Sequence, residues 1–132
     1  MNWSYYKNQK LFETLVGKTI TKIDNKDDYE LRFECSDGSK YMMCHFQDCC
    51  EDVHLEDVVG DFDDLIGTPV VRAEVVSNSE DPVGTEYQPE SYTWTYYKLD
   101  TVRGGVHMRW LGTSNGYYSE AVDFVELENA ES

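Results

Sequence analysis

The sequence predicts a mainly β domain, an antiparallel sandwich or partly closed barrel with one N-terminal helix packed on it. Three observations predict it. Apolar and polar residues alternate in several short runs, most clearly at 29–35 and 92–99. The dipeptides Asp37-Gly38, Gly104-Gly105 and Asn115-Gly116 mark tight turns between such runs. A chain of 132 residues is expected to form one domain, with a helix at 4–16, a β domain at 18–126 and a frayed tail at 127–132.

The elements follow in order. Ser4 is a plausible N-cap, Leu11, Phe12, Leu15 and Val16 form one stripe, and Gly17 suits the C′ position. Lys18–Ile23 reads as a short strand and Asn25 to Asp28 as a turn. In the next strand Tyr29, Leu31, Phe33 and Cys35 share a face, opposite Glu30, Arg32 and Glu34. A two-residue Asp37-Gly38 loop pairs Ser36 with Ser39 and sets Phe33 against Met42, Leu31 against Cys44 and Tyr29 against Phe46. That register places His45 on the other face, across from Glu30.

Asp48-Cys49-Cys50-Glu51 reads as a turn that leaves His45 and Glu51 at the surface, and Val53–Val58 as a further strand. Asp61 to Gly67 reads as one helical turn closed by glycine. Pro69–Val76 is a strand with Val71, Ala73 and Val75 on one side, and Ser77–Glu90 is a long loop. Tyr92–Leu99 is an aromatic strand, and a Gly104-Gly105 turn sets Leu99 against Trp110 and Asp100 against Arg109. A three-residue loop at Asn115-Gly116 sets Trp110 against Val122 and Met108 against Phe124. No internal repeat is read from the sequence.

Charge narrows the partners. A net charge of −15 disfavours direct nucleic-acid binding and attachment to anionic membranes, because both draw on Lys and Arg. Neither a leader segment nor a span-length apolar run is read, so the expected location is the cytoplasm and the four cysteines are expected to be reduced. Between Asp48 and Asp64 there are many carboxylates and no Lys or Arg: a solvated acidic face, or a surface that imitates phosphates.

The densest chemistry lies in His45-Phe46-Gln47-Asp48-Cys49-Cys50-Glu51-Asp52-Val53-His54. His45, Cys49, Cys50 and His54 form the runner-up metal reading. The H-x3-C-C-x3-H spacing lacks the C-x2-C knuckle that structural zinc prefers. A cysteine with His45 as base is disfavoured, since adjacent carboxylates raise a thiol pKa. No catalytic residue, metal or cofactor is therefore assigned. The second block, Ser114-Asn115-Gly116-Tyr117-Tyr118-Ser119, combines aromatic faces with small hydrogen-bonding groups, a composition suited to binding. With Trp94, Tyr96 and Arg109 it forms a candidate stacking site for a base or sugar, to which His45 and Glu51 are added; the bland alternative is a tyrosine-rich core.

His45-Phe46-Gln47-Asp48-Cys49-Cys50-Glu51, Gly60-Asp61, Leu65-Ile66-Gly67, Thr93-Trp94-Thr95-Tyr96-Tyr97 and Ser114-Asn115-Gly116-Tyr117-Tyr118-Ser119 together resemble a family of small uncharacterised proteins of bacteriophage and prophage genomes. The resemblance covers most of the chain after the first helix. It implies a protein made in the cytoplasm of an infected bacterium and carries no assigned activity. Small phage proteins without enzymatic motifs are often inhibitors of host defence, an association rather than a physical argument. Two functions are expected. One is a non-catalytic protein that captures a small nucleotide-like ligand through its aromatic hairpins, as an oligomer or through a deep cleft, with Arg103 or Arg109 meeting phosphate. The alternative is an acidic inhibitor that docks on a host nucleic-acid-binding protein.

Overall fold

A computed structural model describes residues 10–45, 51–78, 91–114 and 122–127. Two four-stranded antiparallel sheets enclose one core. The first sheet has the order β1 (Ile20–Asp27), β2 (Glu30–Cys35), β3 (Lys40–Cys44), β8 (Asp123–Leu127). The second has the order β4 (Asp52–Val59), β7 (Gly104–Ser114), β6 (Ser91–Thr101), β5 (Arg72–Asn78). Leu31, Phe33, Tyr41, Met43 and Phe124 meet Leu55, Leu99, Val106, Met108 and Trp110 in that core. The mainly β, antiparallel expectation therefore holds, as two sheets and not as a closed barrel.

Among the described residues there is no α-helix. The expected 4–16 helix reduces, over its described part, to a 3-10 turn at Phe12–Leu15, entered and left in extended conformation at Leu11 and Val16. Gly17 does turn the chain, at φ 88°, but after one turn only. Phe12 supplies the reason: its ring packs edge-on against Tyr97 of one sheet (4.7 Å) and Phe124 of the other (5.4 Å). What reads as a helical stripe is a short plug between the sheets, where tertiary packing overrides helical period.

The β2–β3 hairpin differs from the expected register by one residue. Phe33 faces Tyr41, Leu31 faces Met43 and Glu30 faces Cys44. The loop has three residues, with Cys35 N–H donating to Ser39 O (2.9 Å) and Gly38 at φ 89° in the left-handed position such loops require. Tyr41, Met42, Met43 and Cys44 are all buried, so apolar pattern could not choose between the two faces. Met42 and Cys44 belong to a separate cluster with Val125 and Leu127.

The β6–β7 turn is Val102-Arg103, not Gly104-Gly105. Leu99 therefore faces Val106, Asp100 faces Gly105 and Arg109 faces Tyr96. The expected hairpin at Asn115-Gly116 does not pair its flanks: β7 lies between β6 and β4, while β8 crosses to the first sheet beside β3. Trp110 faces Thr95 and Leu55 rather than Val122, and Met43, not Met108, faces Phe124. Leu127, placed by the sequence in a frayed tail, is the last residue of β8, 6% exposed and paired with Lys40. In edge strand β5 Ala73 is buried while Val75 is 42% exposed, and Val71, just before the strand, is 55% exposed. The strand over 53–58 and the helical turn after Asp61 are present, as β4 and as a second 3-10 turn, Phe62–Leu65, before Gly67 at φ 91°.

The fold also reveals a repeat. Phe12-Glu13-Thr14-Leu15-Val16-Gly17 and Phe62-Asp63-Asp64-Leu65-Ile66-Gly67 each form a 3-10 turn followed by a glycine of positive φ. Gly17 N–H donates to Val70 O (2.8 Å) and Gly67 N–H to Ile20 O (2.9 Å), so each turn hydrogen-bonds to the residue equivalent to its own partner fifty positions away. Parallel bridges Val16–Val70 and Ile20–Ile66 repeat the relation. Beyond the turns, β1-β2-β3 matches β5-β6-β7, and each half sends its fourth strand to the other's sheet: β4 joins β7, and β8 joins β3.

Candidate functional site

Strand pairing gathers the long connections at one end. In the first sheet Asp27, Glu30, Cys44 and Asp123 lie at successive ends of a ladder. In the second sheet Asn78 pairs with Trp94, Ser91 with Ser114, and Asp52 with Thr113. Leu55 N–H donates to Asp28 O (2.6 Å), which ties the two sheets together there. The connections between β3 and β4, β5 and β6, and β7 and β8 therefore start and finish at this same end. Cys49, Cys50, Asn115, Tyr117, Tyr118 and Ser119 belong to these connections and lie outside the described residues. Ser114 closes β7.

His45 and Glu51 stand where the first of these connections leaves and rejoins the sheets. Their side chains meet at 2.8 Å and are 4% and 0% exposed, which corrects the expectation that both lie at the surface. The one-residue register shift is the cause. It makes His45 the next residue after Tyr41 and Met43 on the face that carries Leu31, rather than a neighbour of Glu30. In the second half the corresponding inward place is held by Trp110, fully buried. The buried imidazole and carboxylate satisfy each other by hydrogen bonding, so the pair works as a clasp across the connection.

Trp94, Tyr96 and Arg109 take the opposite situation. Thr95, Tyr97 and Leu99 of β6 point into the core, so Trp94 and Tyr96 stand on the outer face of the second sheet. Arg109 lies across from Tyr96, and its guanidinium carbon sits 5.0 Å from the centre of the Trp94 ring. The Arg109 Nε is buried and has no hydrogen-bond partner among the described residues, while an Nη lies 3.9 Å from Asp57. The expected ion pair of Arg109 with Asp100 is replaced by this contact. Arg103, the other expected phosphate ligand, donates to Ile66 O (3.0 Å) and holds its hairpin to the second 3-10 turn. The sequence candidates thus divide into an interior pair, His45 and Glu51, and an outer aromatic and cationic group.

Two arrangements were missed. On β4, Asp52, His54 and Glu56 alternate onto one face, and both ring nitrogens of His54 lie near carboxylates, at 3.2 Å from Asp52 and 3.1 Å from Glu56. The i, i+2 spacing was the available signal. At the far end of the molecule Asp37 accepts from Lys18 Nζ (2.6 Å) and Ser39 N–H (2.9 Å), which holds its carboxyl well below the usual range. A shallow polar hollow of about 350 Å³ is lined there by Lys18, Asp37, Gly38, Ser39 and Glu126. Burial raises the thiol of Cys35 and, with Asp123 and Glu30 adding to it, pushes that of Cys44 up to about 12. Among the described residues no three His, Cys, Asp or Glu side chains converge as metal ligands, and His54 sits with carboxylates rather than with His45.

The sequence model of a family described as "Domain of unknown function (DUF7448)" matches residues 13–124. The chain belongs to the DUF7448 family. No curated protein and no solved structure matches it. The match begins inside the first 3-10 turn, at Glu13, and reaches Phe124 of β8, so DUF7448 takes in most of both halves of the repeat. Among the described residues of this member no helix is long and apolar enough to cross a membrane.

Proposed function

We propose that this DUF7448 protein is a non-catalytic, phage-type binding protein of the infected bacterial cytoplasm that counters host defence by capturing a small nucleotide-like ligand. The observation that supports the ligand class is the stacked pair of Trp94 and Arg109 on the outer face of the second sheet, with Tyr96 beside it. An indole and a phenol offer flat faces to a base, and a guanidinium stacked on one of them keeps donors for a phosphate. In a chain of net charge −15, Arg109 supplies a cation at this place. The test is calorimetric titration with adenosine and guanosine mono- and diphosphates and with cyclic dinucleotides. Saturable binding to one of them, lost in Trp94→Ala and in Arg109→Ala while circular dichroism is unchanged, supports the reading. No heat with any of them removes it.

A second reading, the acidic inhibitor, draws on edge strand β4. Asp52, Glu56 and Asp57 expose 50%, 40% and 52% of their side chains, and exposed Asp61 and Asp63 follow. An edge of carboxylates can occupy a site built for phosphates. Under this reading Asp52→Lys and Asp57→Lys, but not Trp94→Ala, abolish competition with DNA for a host DNA-binding protein.

A further inference from the structure

We propose that the two halves of this chain are copies of one unit, and that each half is a docking partner for the complementary half of a second copy of the protein. The repeated turn motif, its reciprocal hydrogen bonds and the exchange of fourth strands carry the first part. A single duplicated motif could arise from local sequence alone. Reciprocal exchange of β4 and β8 could not, because it requires each half to leave an open sheet edge of the shape the other fills.

The second part follows from where the halves are joined. The first ends with β4 at Val59 and the second begins with the 3-10 turn at Phe62, so the covalent link is Gly60-Asp61. Asp61 is engaged in capping its own turn, with its carboxylate accepting from Asp63 N–H (2.9 Å). Gly60 makes the reversal at φ 111°, a backbone conformation that residues with a side chain rarely adopt. Closure within one molecule thus depends on a residue without a side chain. Among the described residues the contacts between the halves can equally be made when the second half comes from another molecule, among them β4 with β7, β8 with β3, and the bridges of Val16 to Val70 and Ile20 to Ile66. Only the link distinguishes the two assemblies, and a short link under conformational constraint is the usual control point of such exchange.

The experiment compares the full chain, Gly60→Val, and a full chain with about ten Gly/Ser residues and a protease site inserted between Gly60 and Asp61, long enough to close without strain. Each is refolded at high concentration and analysed by size-exclusion chromatography with light scattering. The expected result is a dimer fraction raised about tenfold or more in Gly60→Val, with an unchanged circular dichroism spectrum, while the insertion protein is monomeric. A folded, monomeric Gly60→Val overturns the proposal. If Gly60→Val does not fold, the insertion protein decides. After cleavage its two pieces should co-elute as a native 1:1 complex and, when refolded with isotope-labelled cleaved protein, should give mixed complexes by native mass spectrometry. Separation or unfolding of the pieces, or failure to form mixed complexes, overturns it.

Discussion

His45 Nε2 and Glu51 Oε2 lie 2.8 Å apart, at the two roots of the connection from β3 to β4, with both side chains sealed from solvent. The pair lies where the chain passes from the first sheet to the second, at the end from which the long connections leave. Removing one member takes this hydrogen bond away from the other at a site sealed from solvent. Glu51→Ala is expected to lower unfolding free energy by about 1–3 kcal/mol, the cost of losing a hydrogen bond at a buried polar group. Urea denaturation monitored by tryptophan fluorescence measures this. A loss below about 1 kcal/mol, typical of a surface pair, would show that the clasp contributes little.

Trp110 occupies the equivalent inward place of the other half and is fully buried, yet its indole N–H has no hydrogen-bond partner among the described residues. Its contribution is therefore volume and apolar contact. Trp110→Ala should cost about 3–5 kcal/mol through the cavity it leaves. Trp110→Phe, which removes the unmatched N–H with part of the ring, should cost markedly less. Equal losses in the two variants would assign the indole nitrogen a role that the packing does not.

Lys18 and Asp37 predict a pH window. Asp37 is held below its unfolded value chiefly by its hydrogen bond from Lys18, with Ser39 adding to it. Its contribution to stability is complete above the ordinary carboxylate value near about 4 and is lost as pH falls through the lower folded value. Lys18 is raised, first by the same hydrogen bond, so the contribution also fades at the alkaline end, above about 10. Melting temperatures of the protein and of Asp37→Asn should differ at neutral pH and converge towards pH ~2. A constant difference across the acid range would exclude the linkage.

Cys35 and Cys44 are 6% and 8% exposed, and burial raises both thiols. In native protein at pH ~8 both are expected to resist iodoacetamide and to react only as the chain unfolds. Peptide mapping by mass spectrometry reads each site separately. Rapid alkylation of Cys44 in the folded state would contradict its place between Met42 and Val125.

The sequence by itself determined the local elements that rest on short-range chemistry. Alternation at 30–35 predicted which side chains face the core, Gly38 predicted a turn, and Asp61 with Gly67 bounded a helical turn, because backbone conformation and period act over a few residues. Tertiary structure alone decided register and partnership. Four consecutive buried residues at 41–44 carried no period, so only the three-residue loop and the covering of both faces placed Tyr41 and Met43 inward. The same decision drew His45 into contact with Glu51 and removed it from the candidate surface, whereas the alternation of β6 left Trp94 and Tyr96 outside with Arg109 across from Tyr96. Asn115-Gly116 predicts a hairpin partner for β7 that does not form, because a turn signal describes the turn and not the strand that covers the edge. That partner was set by an exchange between two halves whose shared turn motif is six residues long, too short to stand out until Gly17 and Gly67 are seen bonding across to Val70 and Ile20.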